Sequence, residues 1–537
     1  MNKKYKVLVS DPLGDKGLGI LQKESVLEVD VRTGLNEAEL KKIIGDYDAV
    51  IVRSGTQLTK GVLQAAKRLK VIGRAGVGVD NVDLEAATKQ GIIVMNTPEG
   101  NTISTAEHTF SLLLALARNI PQANQSVRGD EWKRTHFMGT ELHGKTLGVI
   151  GFGRIGREVA VRANAFGMRV LAYDPFIAKE SVRQSSVSVE FKDLEPLLKE
   201  SDFVTLHVPL TETTQNIINQ KAMQIMKTGA FLINCARGGL IDEQALSEAI
   251  RSGKIRGAAL DVFSEEPPKN SCLLTADTTN QVIATPHLGA ATQEAQENVA
   301  VLVAEQVIDA LLERGIKNAV NLPPMDFEAM KFLRPWLILA ERIGSMHAQL
   351  FGGGFREVCI RYGGEVTRFN LAPLTVAVLK GLLGPICGDS INYVNAPAIA
   401  KERGITVNES KTTQVEDFVT FLAVEVTMDH QKNLIMGTLF GNLDPRIVRI
   451  NEFCLEAIPK GYVLVIYNED QPGVVGGVGT ILGKNKINIA EMTLGRVEKN
   501  NKVFAVTVIN TDQEVPTSVL EELKAFRPII DAKVIKF

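Results

Sequence analysis

Cysteine is scarce in this 537-residue chain, and nothing in its spacing pairs it: Cys235, Cys272, Cys359, Cys387 and Cys454 show no C-x-x-C and no metal-ligand pattern. That excludes a disulfide scaffold and a zinc module, so no metal is expected, and it fits reduced, mostly structural thiols of a cytosolic protein. Long apolar runs are missing as well. None reaches the roughly 20 residues of a membrane span, and Met1-Asn-Lys-Lys-Tyr-Lys leads straight into a strand with no secretory signal pattern. A surplus of either charge is also lacking: the formal net charge of −2 argues against broad nucleic-acid binding or a membrane-surface role. No repeats or low-complexity tracts stand out. What remains is an ordinary globular composition, 45% hydrophobic and 23% charged, on a chain too long for one core. The expectation is a cytoplasmic protein of three or four domains.

The most informative stretch is Leu147-Gly-Val-Ile-Gly151-Phe-Gly153-Arg154-Ile155-Gly156. A buried strand runs into glycines at G-x-G-x-x-G spacing, and Arg157 onward opens a helix. The first glycine permits the tight turn, the second lets backbone approach a pyrophosphate, and the third packs helix on strand. A second strand, Arg169–Tyr173, ends in Asp174, eighteen residues after Gly156. A carboxylate there takes the adenosine ribose hydroxyls and repels a 2′-phosphate, which points to NAD.

The remainder organises around this unit. Before it, Val7–Val9, Val26–Val31, Ala49–Val52, Val71–Gly73 and Ile92–Met95 read as strands alternating with helices, a doubly wound parallel lobe of its own. Thr102 to Asn119 reads as one long helix into the cofactor unit. That unit continues with strands Phe203–Val208, Ala230–Asn234, Gly257–Leu260 and Gln281–Ala284. The helical stretch Gln293 to Arg314 is expected to return to the first lobe, and Asn321-Leu-Pro-Pro marks a boundary. Residues 327 to 456 mix helices and strands without catalytic spacing. From about 460 the order is β-α-β-β-α-β, the ferredoxin-like split unit, with its first helix at Val474–Lys484. The expected class is α/β, with two Rossmann-like parallel sheets, then a mixed α+β unit and a ferredoxin-like end. The domains are expected at 1–98 with 293–324, 99–292, 325–457 and 458–537.

Three stretches follow strand ends, where ligands of open α/β sheets bind: Asn234-Cys235-Ala236-Arg237, Ala259-Leu-Asp261 to Glu266, and Thr285-Pro-His287-Leu-Gly289-Ala290. An arginine, a carboxylate and a histidine converging on one nicotinamide face would suit alcohol oxidation. Histidine removes the hydroxyl proton, the carboxylate orients it, and arginine binds a substrate carboxylate. Each also has a plain structural reading: His287 as a loop residue, Glu266 as a helix-start acid, Arg237 as a carbonyl cap. Arg53, with Ser54 and Gly55 at a strand end, suits a carboxylate or phosphate, or else a surface ion pair.

These stretches together resemble the D-isomer-specific 2-hydroxyacid dehydrogenases, and more closely the long-form branch that acts on 3-phosphoglycerate. Arg53-Ser-Gly-Thr, Gly73-Arg-Ala-Gly-Val-Gly-Val-Asp-Asn-Val-Asp83, Asn96-Thr-Pro-Glu-Gly-Asn, Leu379-Lys-Gly-Leu-Leu-Gly and Asp470-Gln-Pro-Gly carry the resemblance along essentially the whole chain. It implies catalytic Arg237, Glu266 and His287. It implies a cofactor lining of Gly151, Gly153, Arg154, Ile155, Gly156, Asp174, Val208, Cys235, Ala236, Asp261 and His287 to Ala290, with Val77 beside the Gly76 and Gly78 backbone. Arg53, Ser54, Gly55, Gly76 and Arg134 would hold substrate, and Lys133-Arg134 would reach a neighbouring subunit, making a homo-oligomer. The terminal unit resembles an ACT domain, in which Asp470 and Asn488 could bind L-serine. Arg446, Arg449 and Lys460 could hold an anion in the intervening domain. The implied reaction is NAD-dependent oxidation of 3-phospho-D-glycerate to 3-phosphooxypyruvate, the entry to serine synthesis. Two rivals stay open at this point: a reductase of another 2-oxo acid, such as glyoxylate or hydroxypyruvate, and an NAD(H)-sensing binding protein on the same scaffold.

Overall fold

The computed structural model describes residues 4–177, 187–275, 278, 281–323, 327–412, 418–429 and 431–537. Four sheets organise it. The first is parallel throughout, in the order Leu27–Val31, Tyr5–Val9, Ala49–Val52, Val71–Arg74, Ile93–Met95. Its strands are near-continuous Val/Ile runs because both faces are covered. One face packs Leu40, Ile44, Val62 and Leu63. The other receives the helix Gln293–Leu311, whose Val299, Ala300, Val303, Ala304 and Val307 join Val7, Val9, Ile51 and Val71 in one core. Gly73 is the contact point: a Cβ there would lie 2.7 Å from methyls of both Val303 and Val307. The chain thus returns to its first sheet after building the second. The proposed boundary at 324/325 lies outside the described residues.

The second sheet has seven parallel strands in the order Val282–Ala284, Ile255–Leu260, Ala230–Asn234, Phe203–Leu206, Thr146–Ile150, Arg169–Tyr173, Glu190–Phe191. The chain starts in Thr146–Ile150 and builds outward to both sides. The gap between that strand and Phe203–Leu206 is therefore the topological switch point, where such sheets bind ligands. The two-residue strand Glu190–Phe191 has no counterpart in the sequence reading, being too short to show alternation.

The helix expected from Thr102 to Asn119 is present as Thr102–Ala117, and a second helix, Ile120–Arg128, follows it. Pro121 has no N–H to give and its ring would crowd the carbonyl of Ala117, which accepts from Thr140 N instead. Asn119 takes the turn in the left-handed region, φ 52°.

The third sheet runs Thr406–Thr412, Phe355–Gly363, Phe421–Met428, Gln431–Phe440, Asp444–Ile450, Phe453–Ala457, antiparallel after one parallel pair. Helices Phe327–Phe351 and Ala372–Cys387 share its core. The fourth is antiparallel, Ile489–Lys499, Lys502–Thr511, Tyr462–Glu469, Ile529–Lys536, with helices Val474–Lys484 and Thr517–Ala525: a ferredoxin-like unit. Among the described residues no helix is long and apolar enough to cross a membrane.

Candidate active site

The glycine turn leaves Thr146–Ile150 at the switch point. Gly151 has φ 92°, and a Cβ there would lie 2.5 Å from the His207 carbonyl and 2.7 Å from Val208, so only glycine fits. Gly156 packs helix on strand, its virtual Cβ 2.2 Å from the Gly151 carbonyl. Gly153 differs: a Cβ there meets nothing within 4 Å. That open space fronts the start of the helix Arg154–Ala165, whose cap Gly153 supplies no side-chain acceptor. The first N–H groups, Arg154 and Ile155 among them, have no partner inside the helix and suit a pyrophosphate. Asp174 stands beside the turn, accepting from Phe152 N through Oδ2 and Phe176 N through Oδ1, both at 3.0 Å. The residues present fit a dinucleotide.

On the first sheet's facing edge, buried Asp11 accepts from Arg53 N at 2.6 Å and from Thr56 N and Oγ1, so it shapes the Arg53-Ser54-Gly55-Thr56 turn. Asn81 donates to the Arg53 and Thr56 carbonyls, each at 2.7 Å. From the second sheet Arg237 crosses the cleft, donating from Nε to Asp80 Oδ2 at 3.1 Å and from Nη1 to the Ala236 carbonyl at 2.6 Å. Asn234 steadies this corner, accepting from Ala236 N and donating to the Arg237 carbonyl. Arg154 makes a second crossing, to Glu99 at 3.1 Å.

Arg74 was not singled out from the sequence, yet it belongs to this group. Burial pushes its guanidinium down to about 10, helped by the positive charges of Arg237 and Arg53 and opposed by Asp80 and Asp11. Its buried Nε has no hydrogen-bond partner. Gly76 and Gly78 make room for these side chains. A Cβ at Gly76 would fall 1.6 Å from Arg74 Nη1, and one at Gly78 would fall 1.9 Å from Arg237 Nη2. The signal was an arginine inside the glycine-rich stretch at a strand end. Val77, between them, accepts from Asn96 Nδ2 through its carbonyl.

His287 and Glu266 meet at 2.8 Å, Nδ1 to Oε2, and Glu266 Oε1 accepts from Phe263 N at 3.2 Å. A carboxylate only accepts, so Nδ1 donates to Glu266 and the ring is held with Nε2 as its second nitrogen for chemistry. His287 itself sits at φ 56°, its N–H bonded to the carbonyls of Asp261 and Thr285. The Asp261 carboxylate has no exposed surface and accepts from Leu288 N, Gly289 N and Thr285 Oγ1. It is committed beneath the loop that carries His287, Gly289 and Ala290. Burial raises the buried Cys235 thiol to about 12, keeping it protonated.

The other singled-out residues lie outside the cleft. Asp470 pairs with Arg496, and Asn488 donates to Asp512 at 2.7 Å, so both are engaged within the terminal unit. Arg446 lies over Phe440 beside Glu456, and Arg449 donates to the Asn451 carbonyl. Lys460 is exposed, its N–H donating to the Ile458 carbonyl and its own carbonyl accepting from Asn510 Nδ2. Lys133 pairs with Glu131, and Arg134 opens an exposed turn, Arg134–Phe137.

A doubly wound dinucleotide sheet whose adjacent strand ends carry an Arg and a Glu–His pair defines the class. Residues 110–289 match the NAD binding domain of the D-isomer specific 2-hydroxyacid dehydrogenases. Residues 332–451 match the D-3-phosphoglycerate dehydrogenase intervening domain, and 462–528 an ACT domain. The chain is 46% identical to the D-3-phosphoglycerate dehydrogenase of Synechocystis sp. over 99% of its length and 94% of the relative's. It is 47% identical to that of Methanocaldococcus jannaschii over 99% of both. Among solved structures, the D-lactate dehydrogenase of Aquifex aeolicus, complexed with NAD and lactic acid, superposes with a TM-score of 0.51. It is 32% identical and covers 59% of this chain and 99% of its own. The chain belongs to the D-3-phosphoglycerate dehydrogenase family.

Proposed function

We infer that this enzyme oxidises 3-phospho-D-glycerate to 3-phosphooxypyruvate, opening L-serine biosynthesis, with NAD as its cofactor. The observation that carries the reading is one cleft holding both a Glu-oriented histidine and three arginines. The substrate has a carboxylate at one end and a phosphate at the other. Arg237 takes the carboxylate and the oxygen that becomes a ketone, while Arg53 and Arg74 take the phosphate. His287 Nε2 accepts the proton of the C2 hydroxyl, and Glu266 stabilises the imidazolium that results. Bound NAD would supply the acceptor for the C2 hydride. Gly153 and the helix start behind it would hold its pyrophosphate, and Asp174 the adenosine ribose. Ile155, Val208, Cys235, Ala236, Gly289, Ala290 and Val77 would line its path.

A smaller 2-hydroxy acid would not need three guanidinium groups. Nor would a bare reductase need the two C-terminal units; the D-lactate dehydrogenase covers 59% of this chain with 99% of its own. Those units support regulation, with L-serine as the amino acid sensed through Asp470 and Asn488. Trp132, 79% exposed, and Met138, 74% exposed, flank Lys133-Arg134. So large an apolar surface beside a basic pair supports a homo-oligomer in which Arg134 completes a neighbour's site. The setting would be the cytoplasm. The test is NADH formation from NAD and 3-phosphoglycerate at alkaline pH, with and without L-serine. Turnover that serine suppresses supports both parts, and NADH binding without turnover would favour a sensor.

A further inference from the structure

We propose that His108 is the residue that positions His287, acting from the helix between the two sheets through Asp261 and Thr285; this rests on the reading of His287 as the base. The helix Thr102–Ala117 presents Ser104, Thr105 and His108 on one face, as spacing of three and four residues requires. All three grip the loop that carries His287. Ser104 Oγ lies 2.7 Å from Thr292 Oγ1, and Thr105 Oγ1 donates to the Gly289 carbonyl at 3.2 Å. His108 Nε2 lies 3.1 Å from Asp261 Oδ1 and 3.3 Å from Thr285 Oγ1.

The chemistry of that corner fixes the role of His108. The Thr285 hydroxyl already gives its proton to Asp261 Oδ1, at 2.5 Å. A bare Nε2 would then face an oxygen at 3.1 Å with no proton between. Nε2 must carry the hydrogen and donate. Burial works to raise the Asp261 pKa, but bonds from His108, Thr285, Leu288 and Gly289 outweigh it and hold the carboxylate below its ordinary value. Two of those donors are the backbone N–H groups that follow His287. The carboxylate is what keeps a non-glycine residue at φ 56°. Removing the His108 donor weakens the anchor of the strained residue while leaving the chemistry of every cleft-facing side chain unchanged.

The test compares His108→Leu, His108→Gln and His108→Asn in the full-length chain. Glutamine places an amide N–H where histidine has Nε2; asparagine places it near Nδ1, one step short. His108→Leu is expected to lower kcat on the order of 10- to 100-fold, the usual consequence of an ångström-scale misplacement. NADH affinity should stay within about threefold. His108→Gln should recover most of the rate and His108→Asn should not, a ranking that general loss of packing would not produce. Wild-type kcat in the leucine variant, or glutamine no better than asparagine, overturns the proposal. The parent reading fails separately, if His287→Gln still oxidises 3-phosphoglycerate.

Discussion

Arg237 Nε donates to Asp80 Oδ2 at 3.1 Å, joining a side chain of the seven-stranded sheet to one of the five-stranded sheet across the cleft. The pair leaves Nη2 lodged over Gly78 rather than free to wander. Asp80 is 73% exposed, so the pair adds little to stability; its effect lies in aim. Asp80→Asn is expected to raise KM for 3-phosphoglycerate by about two- to fivefold while leaving thermal stability unchanged. Steady-state kinetics and a melting curve check this together.

Arg74 is held in an unfavourable place, short of partners and near two like charges. An anion in the cleft relieves that repulsion. Arg74→Gln should therefore raise KM for 3-phosphoglycerate on the order of 10- to 100-fold, the range of a lost charge-assisted bond. KM for NAD should not move. The shift in melting temperature that 3-phosphoglycerate produces should shrink in the variant, which a thermal-shift titration reads directly.

The glycines of the turn should separate folding from binding. Gly156→Ala drives a methyl into the Gly151 carbonyl and should lower the melting temperature by several degrees. Gly153→Ala has open space and φ −73°, so the protein should fold normally. It should nonetheless lose NADH affinity about tenfold or more, because the methyl occupies the space a pyrophosphate needs. Fluorescence titration of NADH beside a melting curve distinguishes the two.

His347 is fully buried in the core of the third sheet, Nε2 bonded to the Val424 carbonyl at 2.9 Å, and burial lowers its pKa from 6.5 to about 4. A base that resists protonation when folded takes up its proton on unfolding. Its contribution is therefore complete above pH 6.5 and is lost as pH falls toward 4. The loss is roughly 3 kcal/mol over that window. Trp336 lies in the same core and reports its unfolding. Denaturation of wild type and His347→Gln at several pH values should show a steeper acid loss in the wild type.

The glycine turn, the strand after it and the terminal helix Val474–Lys484 were legible because each is fixed by local chemistry: turn, periodicity and cap within a dozen residues. Glu266 and His287, twenty-one residues apart in sequence, meet in space because each follows a strand end on the same edge. Arg74, Asp80, Asp11 and His108 were not legible as parts of one site. Their significance comes from which sheet faces which, a property of tertiary packing that spacing along the chain does not carry. The stop near Asn119 was read where it falls, but the helix Ile120–Arg128 after it was not, being short and without buried residues.

The most direct measurement is the ratio of kcat/KM for 3-phosphoglycerate to that for D-glycerate, two substrates that differ only in the phosphate. With Arg53 and Arg74 both engaging that group, the ratio should be on the order of 100 or more, each charge-assisted bond contributing about 1.5–3 kcal/mol. It should collapse toward unity in the Arg53→Met, Arg74→Gln double variant. A ratio near one in the wild-type enzyme would contradict the phosphate site, and with it the assignment of 3-phospho-D-glycerate as substrate.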